Sequence, residues 1–150
     1  MGGSLSWPPH VTVAAIVHRN DRFLMVEELS DGQRVINQPA GHLEPNESLT
    51  DALIREVLEE TGYIVRPTYL VGLYQFQSPS EGPLFLRLCF TAEVVSQSDR
   101  DLDPDILAAN WFSVSEIAER QRRSPLVDLC LQDYIFGKQY PLDLYQNVQT

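Results

Sequence analysis

Residues 48–61 (SLTDALIREVLEET) read as a helix whose apolar stripe is interrupted by glutamates, and that conflict constrains the chain more than any other feature. Ser48 is a natural N-cap with Asp51 three residues on, and Gly62 is a natural stop. Advancing about 100° per residue, Leu49, Ala52, Leu53 and Val57 gather on one face. Glu56 and Glu60 land in the middle of that face, Glu59 at its edge, and Arg55 and Asp51 on the polar back. Glu56 and Glu60 are like charges at i,i+4, unfavourable by about 0.2–0.5 kcal/mol even on an exposed helix, and burial without partners costs several times more. A solvated acidic surface is the ordinary explanation of a Glu-rich helix, but here it would leave the acids on the wrong side. A hard divalent cation held by carboxylate oxygens removes the conflict.

The pattern continues upstream. Gly41, Glu47, Arg55, Glu56, Glu59, Glu60 and Gly62 stand in the order G-x5-E-x7-R-E-V-x-E-E-x-G. This resembles the Nudix box, the signature of hydrolases that cleave diphosphates linked to another moiety. Tyr63 is a minor departure, standing where the family usually has an aliphatic residue. The resemblance implies an α/β fold, an α/β/α sandwich with a central mixed sheet, in which the box forms a loop–helix–loop that holds Mg²⁺, with Mn²⁺ as the alternative. By position, Glu56, Glu59 and Glu60 are the implied carboxylate ligands, and a backbone carbonyl at Ala40–Gly41 can add another. Positions i, i+3 and i+4 project onto one patch of a helix, which agrees with that set. Arg55 is expected to orient the site by pairing with Glu47, the plain alternative being an i,i+4 surface pair with Glu59. Glu56 is the first choice for the base that activates water, with Glu81 and Asp105 as distal candidates.

Longer stretches resemble one bacterial branch of the superfamily, the NudJ-type phosphatases: PHVTVA from Pro9, NQPAGHLE from Asn37, LFLR from Leu84, RSPLV from Arg123 and YPL from Tyr140. That resemblance implies hydrolysis of hydroxymethylpyrimidine pyrophosphate, thiamine pyrophosphate and nucleoside tri- and diphosphates with release of orthophosphate. The alternative within the class is a nucleotide-pool pyrophosphohydrolase that releases nucleoside monophosphate and pyrophosphate. Gln38, Arg87, Glu81 and Arg123 are the candidate substrate-binding residues. Arg87 lies in the otherwise apolar LFLRLCF, where an unpaired cation is expensive, so it either faces a diphosphate or points outward at a solvated edge. His10 and His42 show no metal-binding spacing, and Trp111 reads as core. A degenerate domain serving as a ligand sensor usually loses box acids, and this chain keeps them all.

The remainder of the chain supplies one domain. At 150 residues there is room for a single core, expected over residues 7–150, with residues 1–6 as a disordered terminus or tag remnant. Strands are expected at residues 11–17, 22–28, 35–36, 69–77, 84–94 and 110–112, with Pro39, Gly41 and Pro45 breaking regular structure between the third strand and the helix. Helices are expected from Ser113 or Ser115 and over residues 126–136. Eleven Lys and Arg against 21 Asp and Glu give a formal charge of −10, which argues against a nucleic-acid polymer or an anionic membrane as partner. Small anionic substrates remain open to such a chain if a cation lies between. Cys89 and Cys130 sit among apolar residues and read as buried free thiols. The expected location is cytoplasmic; a monomer suffices, and a dimer is compatible, because every candidate residue lies on one chain.

Overall fold

Each residue from Val13 to Val17 is at most 2% exposed, so the strand that carries them must be covered on both faces. The computed structural model describes residues 8–77 and 82–149. In it, β1 (His10–Arg19) turns at Asn20 and Asp21, both at positive φ, into β2 (Arg22–Ser30), as a tight hairpin requires. β3 (Gln33–Asn37) pairs antiparallel with β2, and β4 (Ala40–His42) pairs antiparallel with β1. α1 (Leu49–Thr61) leads directly into β5 (Tyr63–Gln77), which is antiparallel to β6 (Leu84–Gln97). β6 lies parallel to β1, and β7 (Ile106–Phe112) completes the mixed seven-stranded sheet against β2. The short α2 (Val114–Glu119) precedes α3 (Pro125–Ile135).

The two long helices cover opposite faces of the sheet. Leu49, Ala52, Leu53 and Val57 of α1 pack with Val13, Ala15, Val17 and Phe90. Val127, Cys130 and Leu131 of α3 pack with Ile16, Val71 and Cys89 on the other side. Both cysteines are buried and free, as expected. This is the expected α/β sandwich, and α1 is stopped at both ends as its sequence requires. Ser48 Oγ accepts from the Asp51 N–H at 3.1 Å, and Gly62 takes φ of 79° to end the helix.

Some boundaries differ from expectation. The stretch around Pro39 and Gly41 is not simply broken, because residues 40–42 form β4 along β1. β5 starts at Tyr63 rather than Tyr69, since the chain leaves Gly62 already alongside the end of β6. Pro67 is tolerated there because the register shifts between Pro67 and Tyr69, where a missing N–H breaks no ladder bond. β7 begins four residues early, at Ile106. The expected terminus at residues 1–6 lies outside the described residues. No helix among the described residues is long and apolar enough to cross a membrane.

Candidate active site

The box helix presents its acids toward β4. Glu56 is 9% exposed although it is an acid, and its carboxylate fills the space beside Gly41 that a side chain would need. A Cβ built on Gly41 would overlap the Glu56 carboxyl group. Glycine at position 41 therefore follows from close approach, not from an unusual turn. One residue earlier, the Ala40 N–H donates to Glu60 Oε1 at 3.0 Å. Two of the box acids are thus seated on the short strand that the sequence had suggested would be irregular.

Arg55 ties the loop to the helix. Its Nε donates to Glu47 Oε2 at 2.6 Å, and Nη2 donates to Glu47 Oε1 and the His42 carbonyl, both at 3.0 Å. Nη1 donates to Glu56 Oε1 at 2.7 Å and Glu59 Oε1 at 3.1 Å. A guanidinium has five N–H groups, and these five bonds use them all. Glu47 also accepts from the Glu44 N–H at 3.0 Å, which closes the loop on itself. The hydrogen bonds from Arg55 hold the Glu47 carboxyl below its usual range, and Glu47 in turn pushes the Arg55 guanidinium further up.

A cavity of about 490 Å³ opens beside these groups. Six acids line it, namely Glu28, Glu44, Glu56, Glu60, Asp103 and Asp105, together with His42 and the Ala40–Gly41 backbone, and no Lys or Arg is among its described lining residues. Burial drives the Glu60 carboxyl up to about 9, with Glu56, Glu28 and Asp103 adding like-charge repulsion. Burial also raises Glu56, against the pull of Arg55. Asp103 is brought in by the backbone, its N–H donating to the Glu59 carbonyl at 2.9 Å. As the side chains stand, no three His, Cys, Asp or Glu groups among the described residues converge on one point. The donor chemistry nevertheless suits a hard divalent cation: carboxylate oxygens in excess, no Lys or Arg among the described lining residues, and a largely buried acid, Glu60, that lacks a compensating charge.

The other expected residues are dispersed. Gln38 is 1% exposed and its Nε2 donates to the Val127 carbonyl at 2.8 Å, so its amide secures α3 and is not among the cavity lining. Arg123 pairs at 3.2 Å with Glu28, a lining residue, and is not itself among the cavity lining. Arg87 is buried outside the cavity lining, and Glu81 lies outside the described residues. Trp111 packs with the α1-side core, its Nε1 donating to Tyr63 Oη at 3.1 Å. Glu28 and Asp103 were not singled out from the sequence. Glu28 follows Glu27 in a strand buried on both faces, and Asp103 lies in an acidic loop of no fixed period, so neither carried a distinguishing signal.

Comparison with known proteins agrees with this geometry. A family model described as NUDIX domain matches residues 8–130. The phosphatase NudJ of Escherichia coli K12 is 41% identical over 138 residues, which cover 91% of this chain and 90% of that protein. A NUDIX hydrolase from Nitrosomonas europaea superposes with a TM-score of 0.91 at 48% identity, covering 94% of this chain and 98% of the other. A MutT protein from Methanosarcina mazei shares the fold alone, with a TM-score of 0.72 at 23% identity over 91% of this chain and all of that one (100%).

Proposed function

The chain belongs to the NUDIX domain family and is a Nudix phosphohydrolase, and we propose that it takes small pyrophosphate compounds and releases orthophosphate. The substrates are those of a NudJ-type phosphatase: hydroxymethylpyrimidine pyrophosphate, thiamine pyrophosphate, and nucleoside tri- and diphosphates. The observation that carries this reading is the cavity of six acids in which Glu56 fills the space left by Gly41. Such a site repels a bare diphosphate and receives one only with a cation. Identity of 41% to phosphatase NudJ supports the choice of orthophosphate over pyrophosphate as product.

Nudix hydrolases generally use a divalent cation, here Mg²⁺ with Mn²⁺ as alternative, and when bound it neutralises charge on the diphosphate oxygens. Glu56, Glu59 and Glu60 would hold it, with the Gly41 carbonyl as a further oxygen donor. Arg55 has no N–H left for a phosphate, which supports an orienting role in which it fixes Glu47, Glu56 and Glu59 relative to one another. Glu56 accepts a proton from the attacking water; Asp105, on the cavity wall, is the distal alternative. On this reading the enzyme works on small molecules in the cytoplasm, with a monomer sufficient and a dimer compatible, and with no nucleic-acid polymer or membrane as partner.

Product identity tests the reading. Incubation with Mg²⁺ and the substrates above, with orthophosphate and pyrophosphate measured separately, should give orthophosphate as the main product, including from diphosphates. Pyrophosphate with nucleoside monophosphate would instead assign the chain to nucleotide-pool cleansing. Tight binding without turnover under either metal would make it a sensor.

A further inference from the structure

Arg87 is 8% exposed, and its Nε and Nη1 have no hydrogen-bond partner among the described residues. A buried guanidinium with free donors is costly, and a purely structural one is ordinarily paired. The register shows where Arg87 faces. It lies opposite Thr12 of β1, which lies opposite His42 of β4, and on its other side opposite Tyr74 of β5. Cross-strand partners share a face, so His42, Thr12, Arg87 and Tyr74 form one row. Cys89, in the adjoining row of the same face, is covered by Cys130 and Val127 of α3, and Tyr74 Oη donates to Asp133 of α3 at 2.6 Å. On the opposite flank lies the His10–Phe85 pair, with ring centroids 5.3 Å apart and His42 at the same distance from His10. His42 also lines the acidic cavity.

One row of side chains on the α3 face thus runs from His42, at the rim of the acidic cavity, to a buried cation, beside a wall of three aromatic rings. His42 and Arg87 stand two strand spacings apart, about 10 Å between backbones, a separation that a diphosphate ester spans. We infer that Arg87 is a specificity-determining residue whose free N–H groups receive hydrogen-bond acceptors on a planar heteroaromatic ring of the substrate, the ring lying against Phe85, His10 and His42. A guanidinium only donates, so the ring must bring acceptors, as a pyrimidine does through its nitrogens and carbonyl oxygens. The aromatic wall favours a ring over a further phosphate. This rests on the diphosphate reading of the acidic cavity.

The test is equilibrium binding of cytidine monophosphate and of methyl phosphate, in Mg²⁺, to wild type, Arg87→Met and Arg87→Lys. The ratio of kcat/KM for cytidine diphosphate over methyl diphosphate is measured alongside. Wild type should favour the ring-bearing compound in both experiments. Arg87→Met should reduce that preference about 10–100-fold, and Arg87→Lys by less, since it keeps the charge but not the fork. Should Arg87→Met fail to fold, the Lys variant alone decides, because a structural role would leave its ligand preference unchanged. Equal preference in wild type and variants, or an equal loss for both compounds, overturns the inference. Ring-dependent binding without any turnover overturns the hydrolase reading and leaves the subsite standing.

Discussion

Replacing Gly41 with Ala isolates the contact on which the acidic cavity depends. The backbone at Gly41 is outside the left-handed region, so alanine brings no conformational penalty of its own and keeps the carbonyl oxygen. What it brings is a Cβ in the space of the Glu56 carboxyl group, which must retreat by about 1 Å to reach even the tightest contact that real structures tolerate. Retreat weakens the 2.7 Å bond from Arg55 and takes Glu56 out of line with Glu60. A displacement of about 1 Å at a reacting group lowers turnover about 100-fold, whereas lost packing at this half-exposed short strand costs about 1 kcal/mol of stability. Initial rates of orthophosphate release and a thermal melt separate the two. Gly32→Ala is the control: Gly32 has φ of 79° with nothing within 4 Å, so alanine there strains the backbone by about 1 kcal/mol and leaves the rate alone. The reasoning fails if Gly41→Ala retains turnover within threefold of wild type, or if Gly32→Ala loses as much activity.

Glu56→Gln keeps shape and volume but removes the charge, and should lower kcat by about 10²–10⁴-fold with the melting temperature held or raised, read by phosphate release and calorimetry. Arg55→Lys offers at most three donors where five are used, so denaturant unfolding should show a loss of about 1–3 kcal/mol, with kcat falling in parallel. Burial pushes the Glu27 carboxyl up, but bonds from Arg34, Arg120 and Asn110 outweigh it and hold the group below its ordinary 4.5. Its folded-state value is therefore the lower one, so its contribution is complete above pH 4.5 and disappears as pH falls through the depressed value; Glu27→Gln should flatten acid unfolding in that window while costing stability at pH 7. Chelation with EDTA should lower the melting temperature of wild type and abolish turnover, Mg²⁺ should restore both, and Glu60→Gln should shrink the Mg²⁺-induced thermal shift.

The helix and its purpose were legible because two signals conflicted. Apolar periodicity placed Glu56 and Glu60 toward the core, and electrostatics required a reason for them to be there. The structure keeps them buried or half-buried and seats each against β4. β4 itself was hidden, since a three-residue strand with proline on both flanks has no period to read. The distant members of the cavity were hidden for a different reason. Asp103 arrives through a main-chain bond to the Glu59 carbonyl, and a backbone donor carries no mark of residue type. Gln38 gives its Nε2 to the Val127 carbonyl while its Oε1 has no partner among the described residues, and neither fact has any mark in the sequence.

The arginines make the same point in terms of donors. Arg55 and Arg87 both stand next to apolar residues in sequence, and composition treats them alike. In the fold Arg55 uses all five of its N–H groups, while Arg87 keeps Nε and Nη1 free in a place water scarcely reaches. Arg123, a third candidate, is half-exposed and pairs with Glu28, one of the residues lining the cavity. An arginine with every donor engaged can hold other groups in place but cannot discriminate between substrates, because a new acceptor would have to displace an existing one. Discrimination requires donors that are desolvated before the ligand arrives, so that only a ligand with acceptors in the right place relieves them. Among these three side chains Arg87 alone meets that condition, so substrate choice in this chain should follow Arg87 while rate follows Arg55 and Glu56.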